Sequence, residues 1–348
     1  MVKGDSCKYI ASLHEKYGPI VRTSPNEVSY TTVSANKTIF GTKTTEDMSF
    51  EKNPAVYIQG SGTADNILFA STRDHPRYKR HMAPAFSEQA IKEQEPTIQG
   101  LTTVMIDALR HNRSGEAFYP SEDGIANVGA WCNFLIFDIL SSLSFGKSVG
   151  CLEIADYHPW ALVIFGAMKH SHFVQCAHRL KPYHRILERL IPDEISSPYA
   201  AHMENVRKHL RAREKMENVA RADFASFILK GMSEDELLDN INILATAGSE
   251  TTATTLSSIF YYLTHNPGSY QKLVHEIRST FAREEDITFN AVGSLKYLKA
   301  VIQETFRIHP SVPVGLHRIT PKAGTFIDGL WVPGGVSQNQ LASKRIPS

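Results

Sequence analysis

Residues Leu244–Thr255 read LATAGSETTATT and lie inside one long periodic segment. Small residues cluster at Ala245, Ala247, Gly248 and Ser249; an acid (Glu250) and two threonines (Thr251, Thr252) follow directly. Upstream, Ser233-Glu234-Asp235-Glu236 is a helix start, because Ser233 can cap the first turn while Glu236 reaches back to it. Downstream, Asn266-Pro267 is a stop, because the residue before a proline is pushed out of helical geometry. The pattern predicts a helix from near Glu234 to near His265, about 48 Å long at ~1.5 Å per residue. Leu237, Ile241, Leu244, Gly248, Thr251, Thr255 and Ile259 share one face, and that face loses its bulk at Gly248. Glycine inside a helix costs about 1 kcal/mol against alanine. Two readings would offset that cost. Either something large and flat lies against Gly248, with Glu250 and Thr251 beside it, or another helix crosses there and Thr251 bonds back to a carbonyl one turn earlier.

Residues Tyr297–Pro310, YLKAVIQETFRIHP, read as a second helix stopped at His309-Pro310, with Glu304 and Arg307 on one face. AGSETT, then ETFR, then HPSVPVGLHR form a specific combination. It resembles the cytochrome P450 family of haem-thiolate monooxygenases, and its fungal members in particular. The resemblance implies a mainly α fold with small β regions. It implies that Gly248 borders the oxygen-binding groove of a long distal helix and that Glu250 and Thr251 relay protons. Glu304 and Arg307 match the family's structural Glu-x-x-Arg pair. Asp74-His75-Pro76 opens a further helix, with Pro76 suited to its first turn. His75 and Lys79 stand one turn apart where the family contacts a haem propionate, and Arg318 matches the second propionate contact. A carboxylate needs charge-assisted donors of this kind. Lys79 stands where an arginine is usual and supplies charge without a two-pronged fork.

The chain has 348 residues, 42% hydrophobic and 21% charged, with net charge +1. That is an ordinary globular composition and gives no electrostatic footprint for nucleic acid. No run of 18 apolar residues is present, so no membrane-spanning helix is expected. The N-terminus MVKGDSCKYI is no signal peptide. Cys7, Cys132, Cys151 and Cys176 lie at no metal-ligand spacing, and three of them, in apolar or mixed helical contexts, read as buried thiols. Phe145–Cys151 looks like the family's cysteine loop, but from Phe145 the required Gly and Cys fall at Ser148 and Leu152. Cys151 is therefore not the axial ligand, and no metal ligand is assigned. His158, His170, His172, His178, His184, His202 and His209 crowd residues 156–231. They read as solvated helix faces, in a region that the resemblance makes a lid over the substrate pocket.

Along the chain, residues 8–31 predict a short helix, a break at Gly18-Pro19 and a strand. Residues 51–70 are irregular and, by resemblance, face substrate. Two helices are expected over 90–145, the second a core helix. Residues 20–33 and 311–336 supply the β regions, including a proline-interrupted strand at 311–319 and a hairpin with turns at Gly329 and Pro333-Gly334. We expect one domain over 1–348, with the resemblance running from 16 to 336. The family's cysteine loop and proximal helix have no counterpart in SQNQLASKRIPS. The expectation is a truncated domain, catalytically inactive as it stands, that does not hold haem as a thiolate complex. Its Glu304–Arg307 pair would be partly buried and short of a third member, and an apolar face would lie open around Val301 and Phe306.

Partners implied by the resemblance are an apolar, secondary-metabolite-like substrate and NADPH–cytochrome P450 reductase. The location implied is the endoplasmic reticulum membrane for intact members and the cytoplasm for a chain without the anchor. Two classes of function stay open: a haem monooxygenase, and a haem-free binder of apolar ligands.

Overall fold

The computed structural model describes residues 5–41, 48–57, 65–111, 125–180, 182–215, 224, 231–313 and 315–340. Residues 58–64 of the irregular 51–70 stretch lie outside them. The chain forms two compact units. One gathers Met1–Tyr78, Gly166–Tyr199 and Val312–Ser348, the other Lys79–Phe165 and Ala200–Ser311.

In chain order the first elements are α1 (Ser6–Tyr17), β1 (Ile20–Ser24), β2 (Glu27–Tyr30), α2 (Val33–Phe40) and β3 (Glu51–Lys52). Then come α3 (His75–Met82), α4 (Glu88–Arg110), α5 (Val128–Phe145), α6 (Cys151–Ile154) and α7 (Pro159–His178). Next are α8 (His184–Arg189), α9 (Asp193–Glu214), α10 (Glu234–His265), α11 (Pro267–Thr280), α12 (Phe289–Val292) and α13 (Lys296–Ile308). The last are β4 (Arg318–Ile319), β5 (Thr325–Ile327), β6 (Leu330–Val332) and β7 (Ser337–Gln340). The fold is mainly α with small sheets, as expected.

In the first unit, five strands form one sheet in the order β1-β2-β7-β4-β3. β7 runs parallel to β2 and antiparallel to β4. Val28, Tyr30, Ala35, Ile39, Phe50, Ile327 and Val332 pack as its buried core. The β5–β6 hairpin turns at Asp328-Gly329, both with positive φ (51° and 77°), as a tight two-residue turn requires. Two sequence expectations need correction here. Residues 311–313 and 315–317 are not strand; only Arg318–Ile319 enters the ladder, because Pro310 and Pro313 have no N–H to give. Conversely, Ser337–Gln340 continues the fold past residue 336. Gln338 and Asn339 are buried there without any apolar alternation, and Gln338 Nε2 donates to Thr320 Oγ1 at 2.8 Å.

In the second unit α10 packs on α5 and α13, burying Leu237, Leu238, Ile241, Ala245 and Ala253. Its capping box is present: Glu236 N donates to Ser233 Oγ and Ser233 N to Glu236 Oε2. α5 is the one helix among the described residues long and apolar enough to cross a membrane by length and composition, and 78% of its span is buried within the fold. That burial makes it a core helix.

One of these histidines, His202, departs from the solvated faces expected. His202 is 2% exposed and accepts a hydrogen bond from Trp160 Nε1 at 3.0 Å; its Nε2 meets Asn242 Oδ1 at 2.6 Å. Trp160 stacks on His209 at 4.4 Å. An aromatic partner and an amide, both distant in sequence, decide that burial. Among the described residues no group of three or more His, Cys, Asp or Glu side chains is placed to hold a metal ion.

Candidate functional site

α10 carries the first group of candidate residues. A Cβ at Gly248 would lie 3.0 Å and 3.1 Å from the methyls of Leu140 on α5, so the glycine admits a close helix crossing. Thr251 donates to the Ala247 carbonyl at 2.8 Å. Both features belong to the second reading of this stretch. Ala247 is exposed and Thr251 half-buried, so the helix carries no bulky side chain at these two positions beside the crossing. The hydroxyls of Thr255 and Ser311 both donate to the Thr251 carbonyl, at 2.8 Å and 2.9 Å, and lie 3.0 Å apart. This cluster fixes the backbone beside Thr251. Glu250 is not joined to it. Its Oε2 is buried and has no hydrogen-bond partner among the described residues.

On α13, Arg307 grips Glu304 with two bonds, Nε to Oε2 at 2.7 Å and Nη2 to Oε1 at 2.6 Å. The hydrogen bond from Arg307 holds the Glu304 carboxyl below the usual carboxylate range. The pairing is as expected but the burial is not: the side chains are 55% and 34% exposed. Glu304 lines a groove shared by α13 and the C-terminal part of α10. Beside them, Ile259, Leu263, Val301 and Ile308 line an open groove of about 430 Å³, and Phe306 is 51% exposed.

The basic candidates lie elsewhere. His75 starts α3, half-buried, and Lys79 is exposed one turn on. Arg318 on β4 donates to the Tyr57 hydroxyl at 3.3 Å and faces the rings of Phe40 and Tyr57, each at 5.7 Å. That is its one hydrogen bond among the described residues, which leaves most of a five-donor guanidinium available. Lys52, its cross-strand partner, donates to the Ile67 and Ala70 carbonyls at 3.1 Å and 2.8 Å. Burial first, then Arg318, bring the Lys52 ammonium down to about 8. Nothing in the sequence marked Tyr57 or Lys52, since both sit in or beside a stretch that reads only as irregular.

Of the four cysteines, all free, Cys132 and Cys151 are buried. Burial pushes both thiols up, that of Cys151 to about 12.

Residues 2–337 match the family model of cytochrome P450. The chain is 57% identical to cytochrome P450 monooxygenase lnbC of Aspergillus flavus, an alignment that covers all of this chain and 70% of that protein. It is 46% identical to cytochrome P450 monooxygenase FrzC of a Cladobotryum species, covering 100% of this chain and 71% of FrzC. Identity to cytochrome P450 monooxygenase astA of Talaromyces wortmannii is 37%, over 96% of this chain and 66% of astA.

Proposed function

The chain belongs to the cytochrome P450 family, and from that membership we propose that it serves a haem-dependent monooxygenase acting on an apolar small molecule, with electrons from a reductase partner. Haem, when bound, supplies the activation of dioxygen. The cations present fit such a group. Arg318 has donors to spare, and Lys79 is exposed and makes no ion pair among the described residues. In the first unit we assign Arg318 and His75, and in the second Lys79, to contacts with its carboxylates. The spare guanidinium of Arg318 is the observation that carries this reading. Replacing Arg318 by Ala removes charge-assisted bonds worth roughly 1.5–3 kcal/mol, so haem affinity should fall about ten- to hundred-fold. Haem titration followed by absorbance checks this; an unchanged affinity would reassign the carboxylate contacts.

Thr251 and Glu250 are the proposed proton carriers. Thr251 Oγ1 holds its proton toward the Ala247 carbonyl and must turn from it to deliver. Glu250 Oε2, without a donor, is the group suited to take up a proton and pass it on. In a form of the protein that turns substrate over, Thr251→Ala should keep consuming reducing equivalents while product falls and peroxide rises. Coupling that stays intact would place the relay elsewhere.

The axial thiolate is not assigned to any of these four cysteines. Cys132 and Cys151 are buried and held protonated, and none of the four has the family spacing. We therefore expect the 348-residue polypeptide by itself to bind haem without an iron–sulfur bond and to lack turnover. A thiolate-type band in the reduced, carbon-monoxide difference spectrum would overturn that part alone.

A further inference from the structure

Cys176 and His172 lie one turn apart on α7, with Sγ 3.7 Å from Nε2, and this pair takes no part in the chemistry above. Both line a cavity of about 280 Å³ whose apolar wall includes Val56, Leu68, Phe69 and Leu316. Arg179, one turn further along the chain, and His317 line it too. His317 is 7% exposed, and its Nε2 faces Arg179 Nη2 at 3.1 Å. Arginine only donates, so the ring proton sits on Nδ1. That Nδ1 is buried and has no hydrogen-bond partner among the described residues; Glu27 Oε2 is 3.9 Å away, too far to accept. A buried donor without an acceptor in a residue that lines the cavity calls for explanation.

We propose that Cys176 and His172 form a covalent attachment site for apolar α,β-unsaturated carbonyl compounds. The cavity wall takes the apolar body, and Arg179, which lines it, supplies a donor for the carbonyl oxygen. The Sγ proton passes to His172 Nε2 as sulfur attacks the β-carbon. The C=C π pair shifts to oxygen as an enolate, whose α-carbon then takes the proton back from His172. One S–C and one C–H bond form, one S–H bond and one C=C π bond are lost, and no external oxidant or reductant is needed. The proposal does not depend on haem.

The four cysteines provide internal controls. Cys132 and Cys151 are buried, and Cys7 on α1 is half-buried like Cys176 but is not on the cavity wall. Treating the 348-residue protein with N-phenylmaleimide and mapping adducts by mass spectrometry should give Cys176 first, about ten-fold faster than Cys7. Iodoacetamide, small and polar, should show a smaller preference, the part that His172 supplies as base. His172→Gln should slow labelling of Cys176 about five-fold or more and leave Cys7 unchanged, which separates loss of the base from loss of the fold. Equal labelling of Cys7 and Cys176 by the maleimide would overturn the proposal. So would an unaffected rate in His172→Gln, or an equal preference for Cys176 with iodoacetamide.

Discussion

Asp138→Ala should cost this protein about 3–5 kcal/mol of folding stability, a large share of what a domain has to lose. Asp138 lies on α5, is 1% exposed, and accepts three backbone hydrogen bonds. Its Oδ1 takes Gly150 N and Cys151 N, both at 3.0 Å, and Oδ2 takes Leu152 N at 2.9 Å. These are the unpaired N–H groups at the start of α6, which a helix this short cannot satisfy within itself. Removing the carboxylate strands the buried N–H groups of Cys151 and Leu152, while Gly150 N keeps its bond to Ser148 Oγ at 3.0 Å. Asp138→Asn should fall between, since its Oδ1 still accepts but its Nδ2 meets an N–H with an N–H. Urea unfolding of the three proteins checks the order. A loss under 1 kcal/mol for the alanine variant would mean that the α5–α6 connection rearranges to find other acceptors.

The parts of this molecule that could be read from sequence are those governed by signals within a few residues. α10 begins and ends where Ser233–Glu236 and Asn266-Pro267 place it, because a capping box and a proline act through the backbone next to them. The Asp328-Gly329 turn and the Gly18-Pro19 break are local in the same sense. β7 was invisible because SQNQ has no apolar alternation. Its burial follows from Glu27–Tyr30 and Arg318–Ile319 closing on either side and supplying polar partners. His202 reads as solvated on a charged helix, and only Trp160 and Asn242, each about 40 positions away, make it a core residue.

The candidate site divides along the same line. Glu304 and Arg307 pair as their three-residue spacing demands, whereas their exposure depends on what packs around α13. Gly248 was open to two readings because a missing Cβ does not say what fills its place; Leu140, on another helix, does. Tyr57 reaches Arg318 from 261 positions away in a segment without pattern. No periodicity or motif carries that kind of information.

Acid should destabilise the first unit well before its carboxylates titrate. His317 is buried against Arg179 and Glu27; burial first, then Arg179, bring its pKa from 6.5 to about 4, with Glu27 partly offsetting. His170, in the same unit, is also lowered by burial. For a histidine whose folded pKa lies below its unfolded value, the unfolded chain binds the extra proton between the two. Stability is therefore full above about pH 6.5 and is lost as pH falls toward 4. For His317 the loss is on the order of 3 kcal/mol over that window. His202 in the second unit shifts in the same direction through burial, so both units should weaken together. Glu304 and Glu276, whose pKa values are lowered by hydrogen bonds, respond only from the usual carboxylate range downward and cannot produce a slope that starts near neutrality. Urea unfolding at a series of pH values from neutral to 4 should show stability declining with acid, and His317→Gln, which keeps a polar group but cannot take the proton, should flatten the decline. A variant whose slope matches that of the parent would place the responsible protons on other groups and remove His317 as the origin of the acid response.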